Sequence, residues 1–451
     1  MIFRHDLICT GGLFVGLFAT TLCAQDPAPM ELRLPNAPPV SLNEVPEESQ
    51  GITLSQLQEL ALQHNPTLAQ ARAETWKANG QYVQAGLKPN PQLQYTGDEI
   101  GNEGAGGLHS VALSQEFVTG GKLHLSSQIY AYLQNGASWE RMTQVYRVEN
   151  NVRSEYYNII VAQRMLELAQ QIREISETGL EVAKSRVKQQ ESPRTDELQA
   201  KVLLQNALIM QRNAEAEYEA AWNRMRAVVG WSGLRAQPLV DNGELVSPEL
   251  EWQETCERLL SMSPVIKQAQ AQAASSMAAY NRAVAEPTPN ITAQAGAGYD
   301  YGSEDAFGRV QISLPIPIHN KNQGNIRTAH AQWVRNCREV ERLKLELARN
   351  LADEFKKYVA NRAQLEIYES QLIPAAEETL DLSQEAFKVG QLNYLQLLTA
   401  QRMFTETKID YLKSQGVLWQ SQVAIDGLLL TDGLQAPQQV VSPQISTSST
   451  Q

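Results

Sequence analysis

Apolar positions recur along this chain in two rhythms, a period of two over short runs and a coiled-coil period over long ones. In Val310–Leu314, Val310, Ile312 and Leu314 alternate with Gln311 and Ser313, which predicts a half-buried strand. Pro315 and Pro317 then remove ladder donors, and the polar run His319-Asn320-Lys321-Asn322 follows. The same alternation appears with Leu93 and Tyr95, with Val111, Leu113 and Phe117, and with Ile291, Ala293, Ala295, Ala297 and Tyr299. Two β-hairpins are therefore expected, over about 91–118 and about 289–317, turning at Gly101–Gly107 and Tyr301–Gly308. After each hairpin the chain is almost free of glycine and proline, from Lys122 to Glu191 and from Gly324 to Val389. A helix of that length runs roughly 100 Å and needs a coiled-coil partner. Leu351, Phe355, Tyr358, Leu365 and Leu372 supply one seam, and Val152, Tyr156, Ile159 and Leu166 another. The helices turn back at Gln189–Glu197 and Lys388–Gln396 and return to near Gly230 and Gly427.

The plan is stated twice. Gln63–Ala73 aligns with Ser261–Ala271 at Pro66 and Pro264, and Pro89 and Pro91 match Pro287 and Pro289. Val111–Lys122 lies over Val310–Lys321, Val152–Ile160 over Leu351–Val359, and Thr195–Lys201 over Leu395–Gln401. The offset moves only from 198 to 200 across these five matches, so the chain reads as a duplication. Each copy opens with a helix that runs to the P-x-P break, with Ser55 as the expected capping residue of the first and Glu251 near the start of the second.

Composition refines this picture. The formal net charge of −12 argues against a nucleic-acid partner. Arg4 and His5, an apolar run from Leu7 to Phe18 and small residues up to Ala24 have the plan of a secretory signal, with cleavage after Ala24 and acylation at Cys23 as the alternative. Cys256 and Cys337 then remain, too few for a disulfide framework or a metal cluster. His64, His109, His124, His319 and His330 show no helical metal-ligand spacing, so no metal site and no cofactor is expected. No nucleophile elbow, phosphate loop or paired-carboxylate signature is present, and no enzyme is expected. The organisation expected is a signal over 1–24, an extended segment over 25–50, a first repeat over 51–230 with its helical hairpin at about 122–230, a linker over 231–250, a second repeat over 251–431 with its helical hairpin at about 324–430, and a disordered tail over 432–451.

Four strands of about ten residues have the length of tilted membrane-spanning strands. Four cannot close a barrel, and open edges are not tolerated in lipid. Self-association of three copies gives about twelve strands, an even number within the range of outer-membrane barrels. The expected fold is mainly α with a small β part: a duplicated helix-strand-strand-helix-helix repeat whose strands join a trimeric outer-membrane barrel and whose coiled coils extend it into the periplasm.

The duplicated plan, the junction SQEFVTGGK (Ser114–Lys122) and the hairpin AFKVGQLNYLQLLTAQR (Ala386–Arg402) resemble the outer membrane factor, or TolC-like, family over roughly Gly51–Thr431. Within it the Gln115…Gly120-Gly121-Lys122 junction is most similar to the heavy-metal and cation branch that works with RND pumps. The resemblance implies a passive homotrimeric exit duct in outer-membrane lipid, docking a periplasmic adaptor (membrane fusion) protein and an inner-membrane RND or ABC transporter. Other readings are a duct for type I protein secretion and, in a different class, a periplasmic coiled-coil adaptor. Family members close the periplasmic end with polar contacts and acidic rings near the helical hairpins. The acidic position is matched by Asp196, with Glu197 beside it, although the same acids suit the positive end of a helix. The second hairpin has Gln396 and Thr399 there. The family's gating tyrosine falls on Phe387 and its gating arginine on Leu392, so closure is expected to rest on apolar Phe387, Leu392 and Leu395. Gly120, Gly121, Pro315 and Pro317 are expected to form the barrel-to-helix hinge.

Overall fold

The computed structural model describes residues 52–101, 106–239 and 249–438. The expected signal, the extended segment, Cys23, part of the first glycine-rich turn, residues 240–248 of the linker and residues 439–451 lie outside the described residues.

Helix α1 (Leu54–His64) is capped by Thr53, not by Ser55 as expected. Thr53 wins because Gln56 stands three residues later and closes a reciprocal capping box. The first helix also does not run on to the P-x-P break. It stops at Asn65, whose side chain caps α2 (Pro66–Gly86), because Pro66 suits a first helical position and not an interior one. The second copy breaks at the same place, between α5 (Trp252–Met262) and α6 (Pro264–Ala285), with Ser263 at the cap position but making no side-chain capping bond. Strands β1 (Gln92–Asp98), β2 (Leu108–Phe117), β3 (Ile291–Asp300) and β4 (Asp305–Ser313) form one antiparallel sheet in sequence order. β4 ends at Ser313, just before the two prolines.

Helix α3 (Lys122–Lys188) is continuous for 67 residues and returns through α4 (Arg194–Val229). Its counterpart is interrupted: α7 (Gln323–Ile367) passes through a π turn at Tyr368–Leu372 into α8 (Ile373–Lys388), and α9 (Tyr394–Asp426) returns. Leu351, Tyr358 and Leu365 are buried as expected, but Leu372 is exposed. The π turn carries one extra residue, so the buried stripe resumes one position later, at half-buried Ile373 and buried Leu380 and Phe387.

Beside the sheet α2, α3, α6 and α7 pack in that order, and at the far end the order is α4, α3, α9 and α8. The core is accordingly divided into clusters along α3. Trp222, Met225, Tyr156, Ile159 and Trp419 fill one, and Leu259, Tyr358 and Leu418 another. A third, at the hairpin end, holds Ile172, Leu380, Phe387 and Phe404.

The tail expected from 432 is corrected in its first part. Asn150 donates to the carbonyls of Gly427 and Leu430, Gly433 N–H to Asn151, and Gln438 N–H to Glu140, so residues 427–438 lie along α3.

Candidate functional site

The sheet has two chemically distinct faces. In register, Leu93, Leu113, Ala295 and Val310 share one rung, and Tyr95, Val111 and Ala297 the next on the same face. These apolar side chains are exposed, Val310 at 80% and Leu93 at 77%. On the opposite face Gln92, Ser114, Gln294 and Gln311 make one rung, and Gln94, Ala112, Gly296 and Arg309 another. Ser110 and Ala112 on that face are buried while Val111 and Leu113 beside them are exposed. Apolar groups outward and polar or small groups inward invert the pattern of a water-soluble sheet and match a barrel wall between lipid and a watery lumen. β1 and β4 each pair on one side only, which leaves two open edges for neighbouring copies to satisfy.

Where the sheet meets the helices, Gly120 and Gly121 have φ of +66° and +68°, a region that favours glycine, and Gly121 caps α3. A Cβ on Gly120 would lie 3.0 Å from Thr288 Cβ, so a side chain there would push the two copies apart. Thr119 Oγ1 donates to the Pro289 carbonyl at 2.5 Å and Asn290 Nδ2 to Glu116 Oε1 at 2.6 Å, which ties the copies at this level. In the second copy the left-handed residue is Asn322 (φ +59°), whose side chain donates to the Ala283 carbonyl at 2.8 Å. Pro315 and Pro317 lie upstream of it, between β4 and α7. Asn322 belongs to the polar run His319-Asn320-Lys321-Asn322 that the sequence places after the two prolines, and asparagine is the usual substitute for glycine at such a φ. Lys122, first residue of α3, is buried. Burial, then the nearby Arg282, pulls its ammonium below the ordinary value of 10.5, against an opposing pull from Glu116.

At the other end the two helical hairpins meet. Asp196 and Glu197 occupy the first turn of α4, both half-buried. Tyr394, at the start of α9, is pushed up to about 12 by burial and by the Asp196 carboxylate, which puts that acid beside the second hairpin. Phe387 is only 2% exposed; its ring is 5.6 Å from Tyr394 and 4.9 Å from the Arg186 guanidinium. Arg186 Nη1 also donates to the Phe387 carbonyl at 3.1 Å. Phe387 is thus engaged within its own chain, Leu392 is half-buried, and Leu395 is 61% exposed. Arg186 is the residue that sequence reasoning missed; its only signal was a basic last turn of α3.

Among the described residues no three His, Cys, Asp or Glu side chains converge to hold a metal ion. His64 stacks on Trp231, His109 bonds Tyr95 and the Gly106 carbonyl, and His330 contacts Tyr280 and Trp333. Cys256 and Cys337 are free thiols. No helix among the described residues is long and apolar enough to cross a membrane. A groove of about 660 Å³ runs between α4 and α9, with Leu198, Val202 and Met210 on one wall and Leu398 and Phe404 on the other.

A sheet with a lipid face and a polar face, open at both edges and carried on helices of about 100 Å, defines an outer-membrane duct that extends into the periplasm. The chain belongs to the outer membrane efflux protein family, whose model matches residues 57–231 and 255–429. It is 25% identical over 393 residues to the cobalt-zinc-cadmium resistance protein CzcC of Cupriavidus metallidurans, covering 85% of this chain and 91% of that one. Crystal structures of CusC share its fold at a TM-score of 0.71 with 18% identity, covering 86% of this chain and 95% of that one. The open state of the MtrE channel of Neisseria gonorrhoeae does so at 0.70 with 19% identity, covering 84% and 89%. Its four strands are one protomer's share of a trimeric barrel, and the protein is the outer-membrane exit duct of an efflux system.

Proposed function

We propose that this duct exports divalent metal cations, receiving them from an inner-membrane RND pump through a periplasmic adaptor. The observation that carries the reading is the likeness to a cobalt-zinc-cadmium resistance protein over nearly the full length of both chains. The duct itself is passive: the pump supplies the energy and the protein supplies a path. The exposed apolar groove between α4 and α9 suits an amphipathic helical hairpin of the adaptor. Three copies of Asp196 and Glu197 around a narrow periplasmic mouth would concentrate cations by field focusing. Leu395, with Leu392 behind it, is the apolar surface available to close that mouth, and Phe387 supports it from inside the chain. Gly120 and Gly121 in one copy, and Pro315 and Pro317 in the other, form the bend from strand to helix.

Deleting the gene and measuring growth on cobalt, zinc and cadmium against a panel of organic drugs tests this. Sensitivity to the metals alone is expected; unchanged metal tolerance with drug sensitivity would overturn the metal reading.

A further inference from the structure

The lumen-facing rungs of the sheet are neutral across most of their height. From the helix side outward they run Gln92, Ser114, Gln294 and Gln311; then Gln94, Ala112, Gly296 and Arg309; then Thr96, Ser110, Gly298 and Phe307. Arg309 is the one charged side chain in these three rungs. It is exposed, and among the described residues its only partner is the Phe307 ring, 5.9 Å from its guanidinium carbon. The positions beside it are held small. A Cβ on Gly296 would lie 2.5 Å from the Val111 carbonyl oxygen and 2.7 Å from Ala112 Cβ, and one on Gly298 would collide with Phe307. The nearest lumen-facing acids stand four residues from Arg309 along the strands in either direction, Glu116 on the rung of Thr292 and Ser313 toward the helices and Asp98, Asp300 and Asp305 on the outer rung. That is about 14 Å at strand rise, well beyond the roughly 8 Å Debye length at physiological salt.

We propose that Arg309 is a charge-selecting residue of the barrel stage. In the trimer three guanidinium groups form an unneutralised ring around the lumen, with small and amide side chains as its floor. Such a ring attracts anionic solutes, carboxylates and phosphates above all, because its planar donors match them two at a time. It opposes bare divalent cations, so metal ions pass it more readily in complexes that carry excess negative charge. The inference rests on the barrel assignment and not on the metal cargo proposed above.

The test reads the local potential directly. In a chain with Cys256 and Cys337 replaced by serine, Gln311→Cys is introduced one lumen rung, about 7 Å, from Arg309. Outer-membrane trimers are labelled from outside with an anionic and a cationic methanethiosulfonate, with Arg309 intact or as Arg309→Gln. Ser114→Cys serves if Gln311→Cys does not assemble, and Val310→Cys marks the lipid face. The ratio of anionic to cationic labelling rates is expected to fall about five- to ten-fold in Arg309→Gln at low ionic strength, and to be nearly unchanged at 1 M salt. An unchanged ratio at low salt overturns the selecting role. If neither lumen position labels and Val310→Cys does, the two faces are reversed and the barrel assignment fails with it.

Discussion

Two single residues carry measurable consequences. Lys122 is buried at the strand-to-helix joint, with its pKa held below 10.5 chiefly by that burial. A depressed lysine fits the fold fully only above its unfolded value, and it costs stability as pH falls from there toward its folded value. Lys122→Met is therefore expected to raise the thermal midpoint at pH 7.5, with the gain shrinking as pH rises toward 10.5; calorimetry of the solubilised trimer at several pH values checks it. At the opposite end Phe387 fills the space between Arg186 and Tyr394. Phe387→Ala is expected to cost about 3 kcal/mol locally, seen as faster amide exchange in the α8–α9 hairpin with the distant Trp222 cluster unaffected. The sequence pointed to Phe387 by alignment with a gating position, but no local pattern marks which side of a helix faces its own chain. That depends on Arg186, some 200 residues away and offering only its charge as a clue.

Among elements, the strands and the duplication were legible because period-two alternation and paired prolines survive in both copies. The π turn was not. Leu365 and Leu372 stand seven apart and mimic an unbroken heptad, and only the later burial of Leu380 and Phe387 exposes the extra residue. If the turn absorbs one residue, removing Ser370 should let α7 and α8 join as a regular α-helix with the stripe intact. That variant is expected to form heat-resistant trimers with a midpoint within a few degrees of the parent. Removing the exposed Glu385 from α8 instead would rotate Phe387 about 100° out of the core and is expected to lower the midpoint clearly. The early breaks at Pro66 and Pro264 were legible in retrospect, since Asn-Pro and Ser-Pro mark a cap followed by a first helical position.

For the whole molecule, the open edges of β1 and β4 are the feature that decides its state. An isolated protomer in lipid would leave two rows of backbone donors and acceptors unpaired, at several kcal/mol for each group. Three copies remove both edges, and the same closure joins the helices into a tunnel wall. The exposed apolar face of the sheet and the polar face opposite it then have one consistent solvent each. The most direct test is electrophoresis of the purified outer-membrane fraction, run unheated and boiled. A band at about three protomer masses that collapses to one on boiling is the predicted result. A soluble chain that runs as a monomer whether heated or not would contradict the account.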